Sequence, residues 1–249
     1  MTLSSQALWL IPVGFFAQMV DGCVGMGYGI SASSILATLG VPPLVTSATV
    51  HAAEVVTSGV SSASHAWFRN LDRKIFFSLL APGVIGGVLG STVLAHVPTH
   101  AIRPFVWTYL IITGLCVVGR VVLKRSPKLA VGAPGPALGL IAGFLDAIGG
   151  GGWGTITTST MIARGITPRY AIGTANAVDF FVALGTSIAL WTQMGHMRYD
   201  MVIGLLIGGA VAAPLSAWVT RHVPARAAAT AVGLVVVALG AAGLLEALT

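Results

Sequence analysis

Two stretches of this sequence set a carboxylate beside a run of glycines in otherwise apolar surroundings. They are Asp21-Gly22-Cys23-Val24-Gly25-Met26-Gly27-Tyr28-Gly29 and Asp146-Ala147-Ile148-Gly149-Gly150-Gly151-Gly152-Trp153-Gly154. An offset of 125 residues superposes them without a gap, acid on acid and Tyr28 on Trp153. Glycine accepts backbone angles that interrupt a helix and lets another group approach closely. A half-helix restarting at about Gly29 or Gly154 would present unpaired N–H groups and the positive end of its dipole, which attract anions. Hydroxyls follow at once: Ser31, Ser33 and Ser34 in one copy, Thr155, Thr157, Thr158 and Ser159 in the other. The chemistry this suits is binding of a small oxyanion by converging N–H and O–H donors. The candidates are Gly25, Gly27, Gly29, Ser31 and Ser33 in the first copy, and Gly150, Gly152, Gly154, Thr155 and Thr157 in the second. Tight helix packing alone would explain the glycines, but it asks for no acid at the same place twice. A dinucleotide loop needs a strand and a βαβ unit that the sequence lacks.

A second polar feature lies downstream. Ser47, His51, Glu54, Ser58, Ser61 and His65 recur at intervals of three or four and share one helix face. At the same offset stand Ile172, Asn176, Asp179, Ala183, Thr186 and Leu190. Ionisable groups inside a membrane helix mark a pathway or a cavity. Thr49, His51, Thr174 and Asn176 are therefore expected to line a passage. Asp21, Glu54, Asp146 and Asp179 are expected either to carry protons or to tie helices to the broken segments.

The elements that must hold these residues are membrane helices. Only 8% of the 249 residues are charged and 55% are hydrophobic, against about 25% charged in a soluble domain. The apolar runs are about Ala7–Leu39, Leu44–Phe68, Ile75–Ala95, Ile102–Leu123, Pro136–Ala163, Ala171–Met194, Met201–Val219 and Ala225–Leu245. They do not alternate as barrel strands would. Beyond the glycines the offset also matches Gly14 with Gly139, Pro43 with Pro168, Thr49 with Thr174 and Gly83 with Gly208. Residues 1–124 and 125–249 thus read as two copies of one unit, joined at the basic linker Lys124-Arg125-Ser126-Pro127-Lys128, an organisation common in secondary transporters. The N-terminus lacks the basic region of a signal peptide, and Cys23 and Cys116 fall inside membrane segments, so no disulfide is expected.

Lys and Arg set the orientation. If each broken run enters and leaves on one side, eleven of the thirteen basic residues share a side. If each crosses once, the split is eight to five. The expected fold is therefore an all-α polytopic protein of the cell membrane with two inverted repeats. Each repeat has a glycine-broken, re-entrant helix pair and three spanning helices, and both termini lie outside the cytoplasm. The net charge of +6 sits at the ends of apolar runs, so no nucleic-acid partner is expected. There is no nucleophile–base array and no metal-ligand spacing, so no catalytic residue, cofactor or resident metal is expected. A homo-oligomer is compatible with the composition.

At these residues the chain resembles a known family. The duplicated glycine break, then Pro43 or Pro168, then Ala48-Thr49 leading to Glu54, or Gly173-Thr174-Ala175-Asn176, looks like the TauE/SafE family of membrane permeases. The resemblance covers both halves, and Gly149–Gly152 is close to the family pattern; the first copy carries Met26 and Tyr28 where glycine is frequent. It implies export of sulfite or a small organosulfonate such as sulfoacetate. Two other readings compete: a metal-cation permease using Asp21, His51, Glu54, Asp146 and Asp179, and a structural membrane subunit of a larger complex.

Overall fold

A computed structural model of the chain describes residues 5–24, 26–122, 135–195, 198–219 and 225–248. Gly25 and the basic linker 124–128 lie outside the described residues. The described residues form helices only: α1 (Ser5–Val24), α2 (Tyr28–Thr38), α3 (Pro43–Trp67), α4 (Arg73–His96), α5 (Thr99–Val122), α6 (Pro136–Gly149), α7 (Trp153–Ala163), α8 (Pro168–Met194), α9 (Tyr199–Val219) and α10 (Ala225–Leu248).

The local signals are ordinary ones. α2 and α7 stop before Gly40 and Gly165, whose φ angles are +79° and +85° and which therefore take the left-handed turn that ends a helix. Proline then sits in the first turn of α3 and of α8, where its missing N–H costs nothing. Asp72 caps α4 by accepting the N–H groups of Lys74 and Ile75.

α1 packs along α9, α4 along α6, α5 along α10, and α3 along α8. The pairing is unchanged when each helix is exchanged for its counterpart 125 residues away. Glycines allow the closest crossings. Any side chain at Gly14 would overlap the Leu205 carbonyl, and any at Gly143 the Gly83 carbonyl. With no hydrophobic drive between helices in lipid, such close backbone approach is what holds a bundle together.

Among the described residues, α4, α8 and the Thr99–Gly119 part of α5 are long and apolar enough to cross a membrane. Large apolar side chains face outward along the bundle, among them Phe77, Ile85, Ile112, Ile188 and Val211, the placement a lipid solvent favours. Polar groups are turned inward: His51, Thr157, Thr174 and Ser34 have no exposed surface. Among the described residues α3 carries more buried polar side chains than any other helix, Thr46, Ser47, Thr49, His51, Glu54 and Ser58, because its polar face packs against α8 and the two breaks rather than outward.

Candidate functional site

Each break is a helix end followed by a restart. α1 ends at Val24 and α2 begins at Tyr28; α6 ends at Gly149 and α7 begins at Trp153. Gly27 and Gly152, at equivalent positions, hold φ angles of +113° and +129°, where an L side chain would be strained. The first turn beyond closes identically: Ser31 donates its N–H to the Gly27 carbonyl and Ile156 to the Gly152 carbonyl, both at 3.1 Å.

The two breaks touch. A Cβ on Gly29 would stand 2.6 Å from the Gly151 Cα and 2.6 Å from Glu54 Oε1. A Cβ on Gly154 would stand 3.4 Å from the Met26 Cβ, an ordinary contact. These are the same contact under the offset. They differ because Met26 stands where the second copy has Gly151.

Between the breaks lies a polar cavity of about 40 Å³, measured as space open to the centre of a water molecule. Break residues Met26, Gly27, Tyr28 and Gly29 line one part of it, and Gly152, Trp153 and Gly154 another. Asp21, Glu54 and Asp179 supply carboxylates; Thr57, Ser58, Ser61, Thr158 and Asn176 supply hydroxyls and an amide. No Lys or Arg is among the lining residues.

The acids cap the half-helices. Asp146 Oδ1 accepts the Trp153 N–H at 2.7 Å. In the first copy the Asp21 carboxylate accepts the Tyr28 N–H, and Glu54 accepts that of Gly29. The first free amides of α2 are thus already held by the protein's own carboxylates. Glu54 Oε2 is buried without a hydrogen-bond partner among the described residues, and such a group is costly unless something visits it.

His51 ties the halves together. Its Nε2 lies 3.0 Å from Asp146 Oδ2, and its Nδ1 lies 2.8 Å from the Ser47 carbonyl. Both partners accept when Asp146 is ionised, so both ring nitrogens then donate and the imidazolium balances the carboxylate. His51 and Asp146 are 0% and 1% exposed, which makes this a fixed buried pair outside the cavity lining.

Three first-half hydroxyls also grip the second break. Ser47 donates to the Ala147 carbonyl at 2.6 Å, Ser33 to the Gly150 carbonyl, and Tyr109 to the Gly151 carbonyl at 2.9 Å. Their counterparts at the offset are Ile172, Thr158 and Leu234. Thr158 lines the cavity and Leu234 is exposed.

Of the residues expected from sequence, the structure brings Asp21, Gly27, Gly29, Glu54, Gly152, Gly154, Asn176 and Asp179 to the cavity. Others stand elsewhere. Gly150, Ser33, His51 and Asp146 belong to the clamp on the second break. Thr174 accepts the Asp72 N–H at 2.9 Å and anchors the loop between α3 and α4. Thr157 donates to the Trp153 carbonyl at 2.7 Å within its own helix. Thr49, Ser31 and Thr155 are buried outside the lining, the last two with hydroxyls unpartnered among the described residues. Sequence reasoning named Thr158 among the hydroxyls after the break, and Met26 and Tyr28 as departures from the glycine pattern, but did not reach Trp153, Thr57 or Tyr109 as site residues. Ser58 and Ser61 did carry a signal, their shared face with Glu54. Tyr109 carried none, since nothing in an apolar run says that one tyrosine will meet a distant glycine.

A helical bundle with apolar outer walls and a polar cavity enclosed where two interrupted helices meet is the build of a polytopic membrane transporter. A family model described as sulfite exporter TauE/SafE matches residues 10–243, and the chain belongs to that family. It is 36% identical over 218 residues to the "Probable membrane transporter protein YtnM" of Bacillus subtilis (strain 168), covering 84% of this chain and 73% of that one. It is 33% identical over 84 residues to the "Probable membrane transporter protein ORF9" of a Sinorhizobium species, covering 34% and 31% of the two chains. No solved structure matches.

Proposed function

We propose that this transporter moves a small sulfur oxyanion, sulfite first among them, through the cavity between the two breaks. The observation that carries the reading is the convergence of two glycine interruptions, 125 residues apart in sequence, on one enclosed polar space. That space of about 40 Å³ holds about three water-sized positions. This is the scale of a four-atom oxyanion better than of a longer sulfonate such as sulfoacetate. The family description names sulfite, and export is the direction taken from it.

Charge sets a condition on the reading. Three carboxylates line the cavity without a cation, and an anion beside ionised carboxylates is repelled. Glu54 and Asp179 must then carry protons while the anion is bound, and as acids they donate hydrogen bonds to it. Proton and anion therefore travel together.

The membrane arrangement proposed with this function is two inverted repeats, 1–124 and 125–249, in the cell membrane with both termini outside. It is supported by the asymmetry of Lys and Arg. A re-entrant course for the broken pairs is supported by α1 packing on α2, with Leu10, Val13, Ala17, Tyr28, Ala32 and Leu36 in one apolar cluster. Reporter fusions at either end test it.

The acid-lined cavity favours one second reading, a cation permease. Against it, no group of three or more His, Cys, Asp or Glu side chains among the described residues is placed to hold a metal ion. Flux into proteoliposomes separates the two. Sulfite uptake that depends on a pH gradient in the wild type and loses that dependence in Glu54→Gln, whose neutral amide stands in for the protonated acid, supports the proposal. Divalent-cation flux without sulfite flux replaces it.

A further inference from the structure

The two breaks differ in which backbone amides they leave free, and the difference singles out a residue on α5. In the first break the N–H groups of Tyr28 and Gly29 are taken by Asp21 and Glu54. In the second, Asp146 takes only the Trp153 N–H, and the Gly151 N–H goes to the Asp146 carbonyl at 2.9 Å. No backbone acceptor among the described residues takes the N–H of Gly27, Gly152 or Gly154, and all three glycines line the cavity; the breaks differ at Gly154, whose counterpart Gly29 is taken by Glu54. Asp179 stands at the offset from Glu54 and lines the same cavity as Gly154.

A trans peptide points its C=O and the following N–H in opposite directions. Tyr109 donates its hydroxyl to the Gly151 carbonyl at 2.9 Å. Its ring also lies against Gly149 and Gly152, where any added side chain would overlap it. With the Gly151 carbonyl held toward α5, the Gly152 N–H must point the other way. A second sign of a visiting ligand is present in the same cavity: Glu54 Oε2, 7% exposed as a residue, is unpartnered there among the described residues.

We infer that Tyr109 is a positioning residue for the substrate: by holding the Gly151 carbonyl, it turns the Gly152 N–H toward the cavity and makes the second break, rather than the first, the seat of the anion. The inference rests on the oxyanion reading above. Thr158, one turn into α7, adds a hydroxyl to the same seat, whereas its counterpart Ser33 is committed to the Gly150 carbonyl. The acid Glu54 comes from α3 and stands beside the Gly29–Gly151 contact.

The test is sulfite binding and sulfite flux with Tyr109→Phe, which removes the hydroxyl and keeps the ring against the glycines. The expected result is a severalfold rise in KM for sulfite with Vmax within twofold of wild type, and a matching loss of the sulfite-induced rise in melting temperature. Replacing Tyr109 by 4-aminophenylalanine, which restores a donor at the same place, is expected to recover most of the wild-type KM. An unchanged KM in the phenylalanine variant overturns the inference and leaves the oxyanion reading standing. A variant that loses stability and Vmax with no rescue by the amine also overturns it, since the tyrosine is then only packing. Wild-type protein that neither binds nor moves sulfite removes both.

Discussion

The two breaks share a sequence pattern at an offset of 125 residues, and they are held in different ways. The second is gripped from the other half of the molecule by Ser33, Ser47, Tyr109 and the buried His51–Asp146 pair. Among the described residues the first shows no such set. Asn176, standing where His51 stands in the other copy, donates to the Ile172 carbonyl of its own helix at 3.1 Å instead of reaching for Asp21, and Asp21 is only partly buried. The residues around the second break make it a fixed platform, and the acids around the first face the cavity.

The largest expected effect tests the platform. Asp146→Ala leaves His51 buried beside no counter-charge and frees the Trp153 N–H. Removing one partner of a buried pair costs about 3–5 kcal/mol. Asp21→Ala should cost much less, and thermal unfolding of the two purified variants decides; equal losses would erase the distinction between the breaks.

The next effect tests their contact. Gly29→Ala places a methyl group 2.6 Å from the Gly151 backbone and from Glu54 Oε1, an overlap worth roughly 1–3 kcal/mol. Gly154→Ala meets only Met26, at 3.4 Å, and in a helix it gains up to about 1 kcal/mol of propensity. The first variant should melt lower than wild type and the second should not. Met26→Gly should sharpen the result, since it makes the second crossing as bare as the first.

A smaller effect concerns the paired hydroxyls. Thr158→Ala should raise the KM for sulfite because Thr158 lines the cavity. Ser33→Ala should show mainly as a stability loss of about 1 kcal/mol, from one hydrogen bond to the Gly150 carbonyl. The reverse pattern would move the anion to the first break. The smallest is Thr174→Ala, which removes the acceptor for the Asp72 N–H and should lower the unfolding free energy by about 1 kcal/mol.

Much of the fold was legible because membrane helices announce themselves by length and composition. The two breaks and the eight apolar runs correspond to helices seen here. The acids were legible as an oddity, since an acid in lipid needs a reason, but not as caps, because capping depends on where the chain turns after Gly27 and Gly152. Thr174 was read as lining a passage beside its match at the offset, Thr49, and nothing in that match speaks of the α3–α4 loop that meets it. The aromatic residues divide in the same way. Trp67 is exposed at a helix end as an interfacial belt predicts, whereas Trp107 is buried against Gly243. The grip of Tyr109 on the Gly151 carbonyl joins residues 42 apart, a tertiary fact that no local pattern encodes.

The measurement closest to the central claim is a cryo-EM map of the protein in lipid nanodiscs with saturating sulfite. The account predicts one compact feature between Gly27–Gly29 and Gly152–Gly154, within hydrogen-bond reach of the Gly152 amide and of Glu54. A map in which that space stays empty, with sulfite bound at another place or at none, would contradict it.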